Sequence, residues 1–160
     1  MTNNDILRRI RYTFDFKDKE VVEIFALADV TVTLEQVAAW MKRDEDEAFV
    51  KMNSIELSSF LNGLINLKRG KRDGEQPQPD AHLSNNMVFQ KLRIALNLKA
   101  EDILEILELA NFRLSKHELS AFFRKPDNKH YRQCKDQILR NFLMGVQLKL
   151  RPEDQTEYQD

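Results

Sequence analysis

Three histidines and one cysteine are the residues of this 160-residue chain best suited to hold a metal: His82, His117, His130 and Cys134. His130 and Cys134 stand four apart and could share a helix face, but two ligands do not complete a tetrahedral zinc site. The run "DEDE" at 44–47 could attract a cation, yet it lacks the alternating oxygen-ligand spacing of a calcium loop and reads as a solvated loop. There is no glycine-rich phosphate loop, no nucleophile elbow and no His–Glu metal helix. No catalytic residue, metal site or cofactor is therefore assigned, and the chain is not expected to be an enzyme.

The remaining chemistry is cationic. Net charge is −1, but it is unevenly placed: residues 1–70 carry ten Lys/Arg against twelve Asp/Glu, whereas residues 85–150 carry twelve against seven, a net of +5. A polyanion would prefer the second half. Placing Leu119, Phe122 and Phe123 inward on a helix, at about 100° per residue, turns His117, Ser120, Ala121, Arg124 and Lys125 outward. With Lys129, Arg132 and Lys135 nearby, that arc would suit phosphate. The candidate nucleic-acid contacts are His117, Ser120, Arg124, Lys125, Lys129 and Arg132. The corresponding arc in the first half, Glu35, Ala38, Ala39, Lys42 and Arg43, runs directly into the acidic "DEDE".

The elements that must position these residues come in two copies. An offset of 82 aligns residues 3–68 with 85–150 without a gap, with about one position in five identical and the apolar positions agreeing nearly throughout. "NNDILRRIRYTF" lies over "NNMVFQKLRIAL", Trp40 over Phe122, and "FLNGL" over "FLMGV". Cys134 lies over Met52, which reads as a core sulfur. A gapless register means that each helix and loop keeps its length, so the expected fold is all-α: two tandem four-helix modules related by an 82-residue internal repeat. Only four Gly and four Pro favour long helices over many short strands.

Within the first copy, Ile6, Leu7, Ile10 and Phe14 form a helical stripe. A second helix is expected from about Asp18 to Ala28, burying Val21, Val22, Ile24, Phe25 and Leu27. Thr33 with Gln36 makes a capping box for the third, stapled by Val32 and Val37; Ser115, Glu118, Leu114 and Leu119 repeat the device. The fourth carries Ile55, Leu57, Phe60, Leu61 and Leu64. Gly63 and Gly145 fall inside that last helix, where glycine costs roughly 1 kcal/mol against alanine; close helix packing is the expected reason.

Residues 1–70 are thus the first helical repeat and 85–150 the second. Between them, 71–84 ("KRDGEQPQPDAHLS") reads as a flexible linker, and 151–160 as an acidic tail expected to fray. The charges of Asp5, Arg8, Arg9 and Arg11 leave no room for a signal peptide at the N-terminus, no apolar run is long enough to span a membrane, and one cysteine suits a reducing compartment. The expected setting is the cytoplasm.

The stretches "NNDILRRIRYTF", "EVVEIFALADV" and "VAAWMKR", followed by a second degenerate copy, resemble the YehS-like family of small bacterial proteins over the whole chain. That resemblance implies a tandem pair of a domain of unknown function in a bacterial cytoplasm, and carries no activity or site residues with it. Locally, "EIFALADVTVTLEQVAAWMKR" resembles a helix-turn-helix unit of the phage-repressor type, although its turn "ADVTVT" is longer and lacks the usual glycine. Two functions follow as expectations. The first is a non-enzymatic helical interaction module, an adaptor or regulator that binds a protein partner; the alternative is a nucleic-acid-binding regulator using the third helix of the second repeat.

Overall fold

The computed structural model describes residues 1–159, so Asp160 of the expected tail lies outside the described residues. Nine helices and no strand are found among them. The first repeat holds α1 (Asn3–Phe14), α2 (Asp18–Leu27), α3 (Leu34–Met41) and α4 (Ser54–Arg69). The second holds α5 (Asn85–Leu96), α6 (Ala100–Leu109), α7 (Lys116–Ala121) and α8 (Asp136–Leu150), and α9 (Asp154–Gln159) follows.

Local chemistry explains the boundaries. Thr33 Oγ1 accepts the Gln36 N–H at 3.1 Å while Thr33 N–H donates to Gln36 Oε1 at 2.8 Å. Ser115 and Glu118 repeat both bonds at 3.0 Å. With few glycines available, the chain ends its first two helices in each repeat with Asp or Asn. Asp15 and Asn97 follow α1 and α5 at φ 55° and 54°, and Asp29 and Asn111 follow α2 and α6 at 60° and 58°. These are the side chains that tolerate the left-handed region best after glycine.

The duplicated "NN" is a structural device. Asn4 is completely buried, and its amide donates to the carbonyls of Trp40 and Val50, both at 3.0 Å. Asn86 does the same to Phe122 and Arg132, at 3.0 and 2.8 Å. Each side chain thereby ties the end of the third helix to the irregular segment that leads into the fourth. The duplicated glycines also have their reason. A Cβ on Gly63 would lie 1.9 Å from the Ile24 carbonyl oxygen, and one on Gly145 would lie 2.1 Å from that of Ile106. Glycine is what lets α4 and α8 lie directly against the backbones of α2 and α6.

The two repeats share one hydrophobic core. Helix α4 packs on α5, and α8 packs on α1, so the first helix of each copy is covered by the fourth helix of the other. This reciprocity is that of a two-fold interface. Equivalent side chains meet across it: Lys91 Nζ reaches Asn62 Oδ1 at 2.7 Å, and Arg9 reaches the Met144 sulfur at 3.8 Å. Residues 71–84 are non-helical and partly tied down, with Asp80 receiving the Ser58 hydroxyl at 2.9 Å and pairing with Lys91 at 3.2 Å.

Several expectations need correction. Val22 and Leu27 of α2 are only partly buried. The tail does not fray over 154–159. Its Tyr158 hydroxyl donates to the Ala110 carbonyl at 2.9 Å, and Asp154 accepts the Tyr12 hydroxyl at 3.0 Å. An acidic segment was expected to stay solvated, but Arg151 anchors it by donating to the Tyr12 carbonyl, with its guanidinium 4.1 Å from the Tyr12 ring centroid.

Candidate functional site

The third helix of the second repeat is shorter than the helical wheel assumes. The first repeat behaves alike: α3 ends at Met41, and Lys42, the equivalent of Arg124, is already extended. Helix α7 stops at Ala121, and Phe122 and Phe123 close it with tight i→i−3 bonds to Leu119 and Ser120. Arg124 and Lys125 therefore lie in the turn after α7, not on it, and Ala121 is buried rather than outward. His130 and Cys134 do not share a helix face either: both lie in the irregular segment 122–135, His130 exposed and Cys134 buried.

That turn builds one wall of a groove of about 400 Å³. Phe123 is pinned edge-on to Phe89 at 5.0 Å, with the Arg93 guanidinium 4.6 Å from its ring centroid. Helix α5 forms the floor through Met87, Gln90 and Ile94, and Ile65 of α4 closes the far side. Ile94 is 43% exposed there. Arg124 and Lys125 stand on the rim, exposed and outside every ion pair among the described residues.

The equivalent surface of the first repeat holds a hollow of about 340 Å³ with a charged lining, Asp5, Arg8 and Arg9 among it. There Arg8 stands where the second repeat has Gln90. Its guanidinium bonds Asp5 at 3.1 Å, Asp44 at 2.9 Å and the Lys42 carbonyl, and lies 5.7 Å from the centroid of the Phe49 ring. Burial alone would raise the Asp5 carboxyl, but the Thr2 N–H and hydroxyl and the Arg8 charge outweigh it and hold it below its ordinary value. The second repeat replaces all three charged partners: Asp5 becomes Met87, Arg8 becomes Gln90 and Asp44 becomes Pro126. The charged network is gone and a more apolar lining takes its place. These residues were missed as site candidates, although comparing the two copies position by position would have found them.

Of the six candidate nucleic-acid contacts, the structure brings three together. His117, Arg124 and Arg132, with His130, surround a second hollow of about 150 Å³ on the other side of Arg124. The first repeat has Glu35, Lys42, Val50 and Ala48 at those positions. Arg132 folds back to donate to the carbonyls of Lys129 and Tyr131 at 3.4 and 3.0 Å, and the Ser120 hydroxyl donates to the His117 carbonyl at 2.8 Å. Lys125 faces the apolar groove instead, and Lys129 is exposed outside both hollows. Cys134 is sealed in the core, where burial pushes its thiol up to about 12, so it is no nucleophile. No group of three or more metal-binding side chains occurs among the described residues.

Comparison with known proteins places the chain. Residues 3–70 and 85–152 each match the family described as "Protein of unknown function (DUF1456)". The chain belongs to this family. Both DUF1456 copies begin at the duplicated asparagines. A full-length relative, the "Uncharacterized protein YehS" of Escherichia coli (strain K12), is 46% identical over 147 residues, which are 91% of this chain and 94% of that protein. No solved structure matches. No helix among the described residues is long and apolar enough to cross a membrane.

Proposed function

We propose that this DUF1456 chain is a cytoplasmic, non-enzymatic interaction module, an adaptor or regulator that receives a segment of a protein partner in the groove of its second repeat. The observation that carries this reading is the divergence between copies that otherwise keep the same caps, glycines and buried asparagines. One copy lines the hollow beside its first helix, about 340 Å³, with Asp5, Arg8 and Arg9; the other lines its own, about 400 Å³, with Met87, Ile94 and Phe123. Apolar surface left uncovered beside a rigid core is a common feature of docking sites.

The Gln90→Arg/Pro126→Asp double variant puts two of the first repeat's three charged residues into the second repeat's groove and tests the reading. A partner that the wild-type chain retains from nuclease-treated lysate and the double variant loses supports it. Retention by both variants removes the groove from the function.

A second reading keeps a nucleic-acid-binding regulator in view. It is favoured by the hollow where His117, Arg124, His130 and Arg132 stand with a single carboxylate, Glu118, and by the +5 charge of residues 85–150. Loss of the captured material on nuclease treatment would select it. Six residues make α7 a short reading helix for duplex DNA, so phosphate contact from the surrounding loop is the form this reading takes.

A further inference from the structure

Resting on the groove as a docking site, we infer that its occupant is an acidic segment carrying a large apolar side chain, the carboxylates meeting Arg124 and Lys125 while the apolar side chain enters between Ile94 and Phe123.

The walls and rim make different demands. The exposed lining is mostly apolar, with Ile94, Met87, Phe123 and Pro126 beside the polar Gln90 and Tyr131, so the space between Ile94 and Phe123 suits a large apolar side chain. The charges around the groove are unequal in availability. On the α4 side, Asp80 is already satisfied by Lys91 and Ser58, and Lys91 is in turn taken by Asp80 and Asn62. Arg93 is engaged with the Leu98 carbonyl and the Phe123 ring. Only the wall formed by the turn after α7 presents cations with no acidic partner among the described residues, Arg124 and Lys125. The net field over this groove is therefore positive on one wall and neutral on the other. Such a rim steers an acidic segment in and repels a basic one.

A nucleic acid fits this groove less well. Its phosphates would find charge along one wall alone, and its ribose would meet the apolar floor of α5. In a second copy of the chain the acidic tail is occupied at Tyr12 and Ala110, and in the acidic run 44–47 with Phe49 both Asp44 and the Phe49 ring are engaged by Arg8.

The test begins with a displayed library of random dodecapeptides selected on the full chain. Selected peptides should be enriched in Asp and Glu around a Leu, Ile or Phe, and should fail to bind Gln90→Arg/Pro126→Asp. Ile94→Asp, which leaves Gln90 and Pro126 in place and repels acid directly, should fail in the same way. A synthetic peptide from the selection is then compared with its Glu→Gln and Asp→Asn analogue. Binding of the acidic form should fall at least tenfold in Arg124→Glu/Lys125→Glu and weaken with salt, whereas the neutral analogue should respond to neither. Peptides lost in the groove variants but showing no acidic enrichment would overturn this inference and leave the docking reading standing. No selected peptide, or peptides that bind both groove variants as well as wild type, would overturn both. A single-stranded oligonucleotide that binds in place of peptides and is lost on the Arg124/Lys125 reversal would also overturn it, in favour of the nucleic-acid reading.

Discussion

The Oδ1 atom of Asn86 accepts the backbone N–H of Cys134 at 2.8 Å, just as that of Asn4 accepts the N–H of Met52 at 2.9 Å. With the two carbonyls that each amide also satisfies, one side chain serves three backbone groups of a segment that has no helix or sheet partner of its own. Asn86→Ala leaves all three without a partner, and an unsatisfied buried group costs about 1–3 kcal/mol. The expected loss is about 3 kcal/mol in a denaturant titration. Asn86→Asp adds a pH signature. A carboxylate can accept from Cys134 but must take up a proton to donate to Phe122 or Arg132, so its folded pKa is raised above the unfolded value of about 3.9. Its deficit relative to wild type should widen as pH rises above about 4 and narrow below it. A deficit independent of pH would mean that the Asp has left the carbonyls.

Gly63→Ala sets two effects against each other. Helix propensity favours alanine by roughly 1 kcal/mol, but the new Cβ would sit 1.9 Å from the Ile24 carbonyl. A backbone atom cannot rotate away, so α2 must move off α4, and overpacking of this kind costs about 1–3 kcal/mol. Net destabilisation is expected, and likewise for Gly145→Ala. A raised melting temperature in either variant would show that the helices separate freely.

Thr13 is buried with its hydroxyl unpartnered, and the second repeat has Ala95 at this position. Thr13→Val removes the hydroxyl with little change of volume. It should raise stability by about 1 kcal/mol, read as an upward shift of the thermal midpoint; a downward shift would reveal a partner for the hydroxyl.

The architecture was legible because its signals are local or repeated. Capping boxes, helical stripes and a gapless 82-residue register each constrain their own few residues. Duplicated Gly63 and Gly145 could be read as packing contacts because a helix tolerates glycine poorly without one. The groove was not legible as a site, because it depends on what the first repeat has and the second lacks. Gln90, Met87 and Pro126 carry no chemistry by themselves; they matter through the absence of Arg8's network. The wheel drawn through Arg124 failed because the third helix of each repeat stops before that position, at Met41 in the first and at Ala121 in the second. The docked tail was hidden because Tyr158 and Arg151 act through contacts with Ala110 and Tyr12, far away in sequence.

Glu118 supplies a pH dependence of its own. The Ser115 N–H and then the Ser115 hydroxyl, with a smaller contribution from His117, hold its carboxyl below the ordinary glutamate value. A lowered folded pKa means that the stabilisation is present above the unfolded value of about 4.3 and is lost as pH falls through the folded value. Glu118→Gln keeps an acceptor, as Gln36 does in the first repeat, but cannot titrate. Wild type should therefore exceed the variant in stability at pH 7, and the difference should shrink as pH falls below the unfolded value of about 4.3. Ser115→Ala, which removes the cap, should cost about 1 kcal/mol at pH 7. A wild-type advantage that persists undiminished at pH 3 would show that the charge of Glu118 is not its source.

A linker between two repeats invites the expectation that cutting within 71–84 frees two stable halves. The shared core argues otherwise. Helix α1 needs α8, and α5 needs α4, so each half alone exposes the faces of its first and fourth helices. Fragments 1–70 and 85–159 should each be poorly folded or self-associated when expressed separately, and should recover helicity and a single melting transition when mixed. Trp40 is the chain's one tryptophan, 1% exposed and 5.5 Å from Phe25 between ring centroids, so its fluorescence reports the first repeat specifically. In the intact chain the Trp40 transition should coincide with the loss of helical circular dichroism, because one core unfolds as one unit. Trp40→Ala, which removes a buried aromatic at roughly 3–5 kcal/mol, should then lower the midpoint of the whole molecule and not of one half. Two separated transitions, or a stable monomeric fragment of either half, would show that the reciprocal packing of first and fourth helices contributes little.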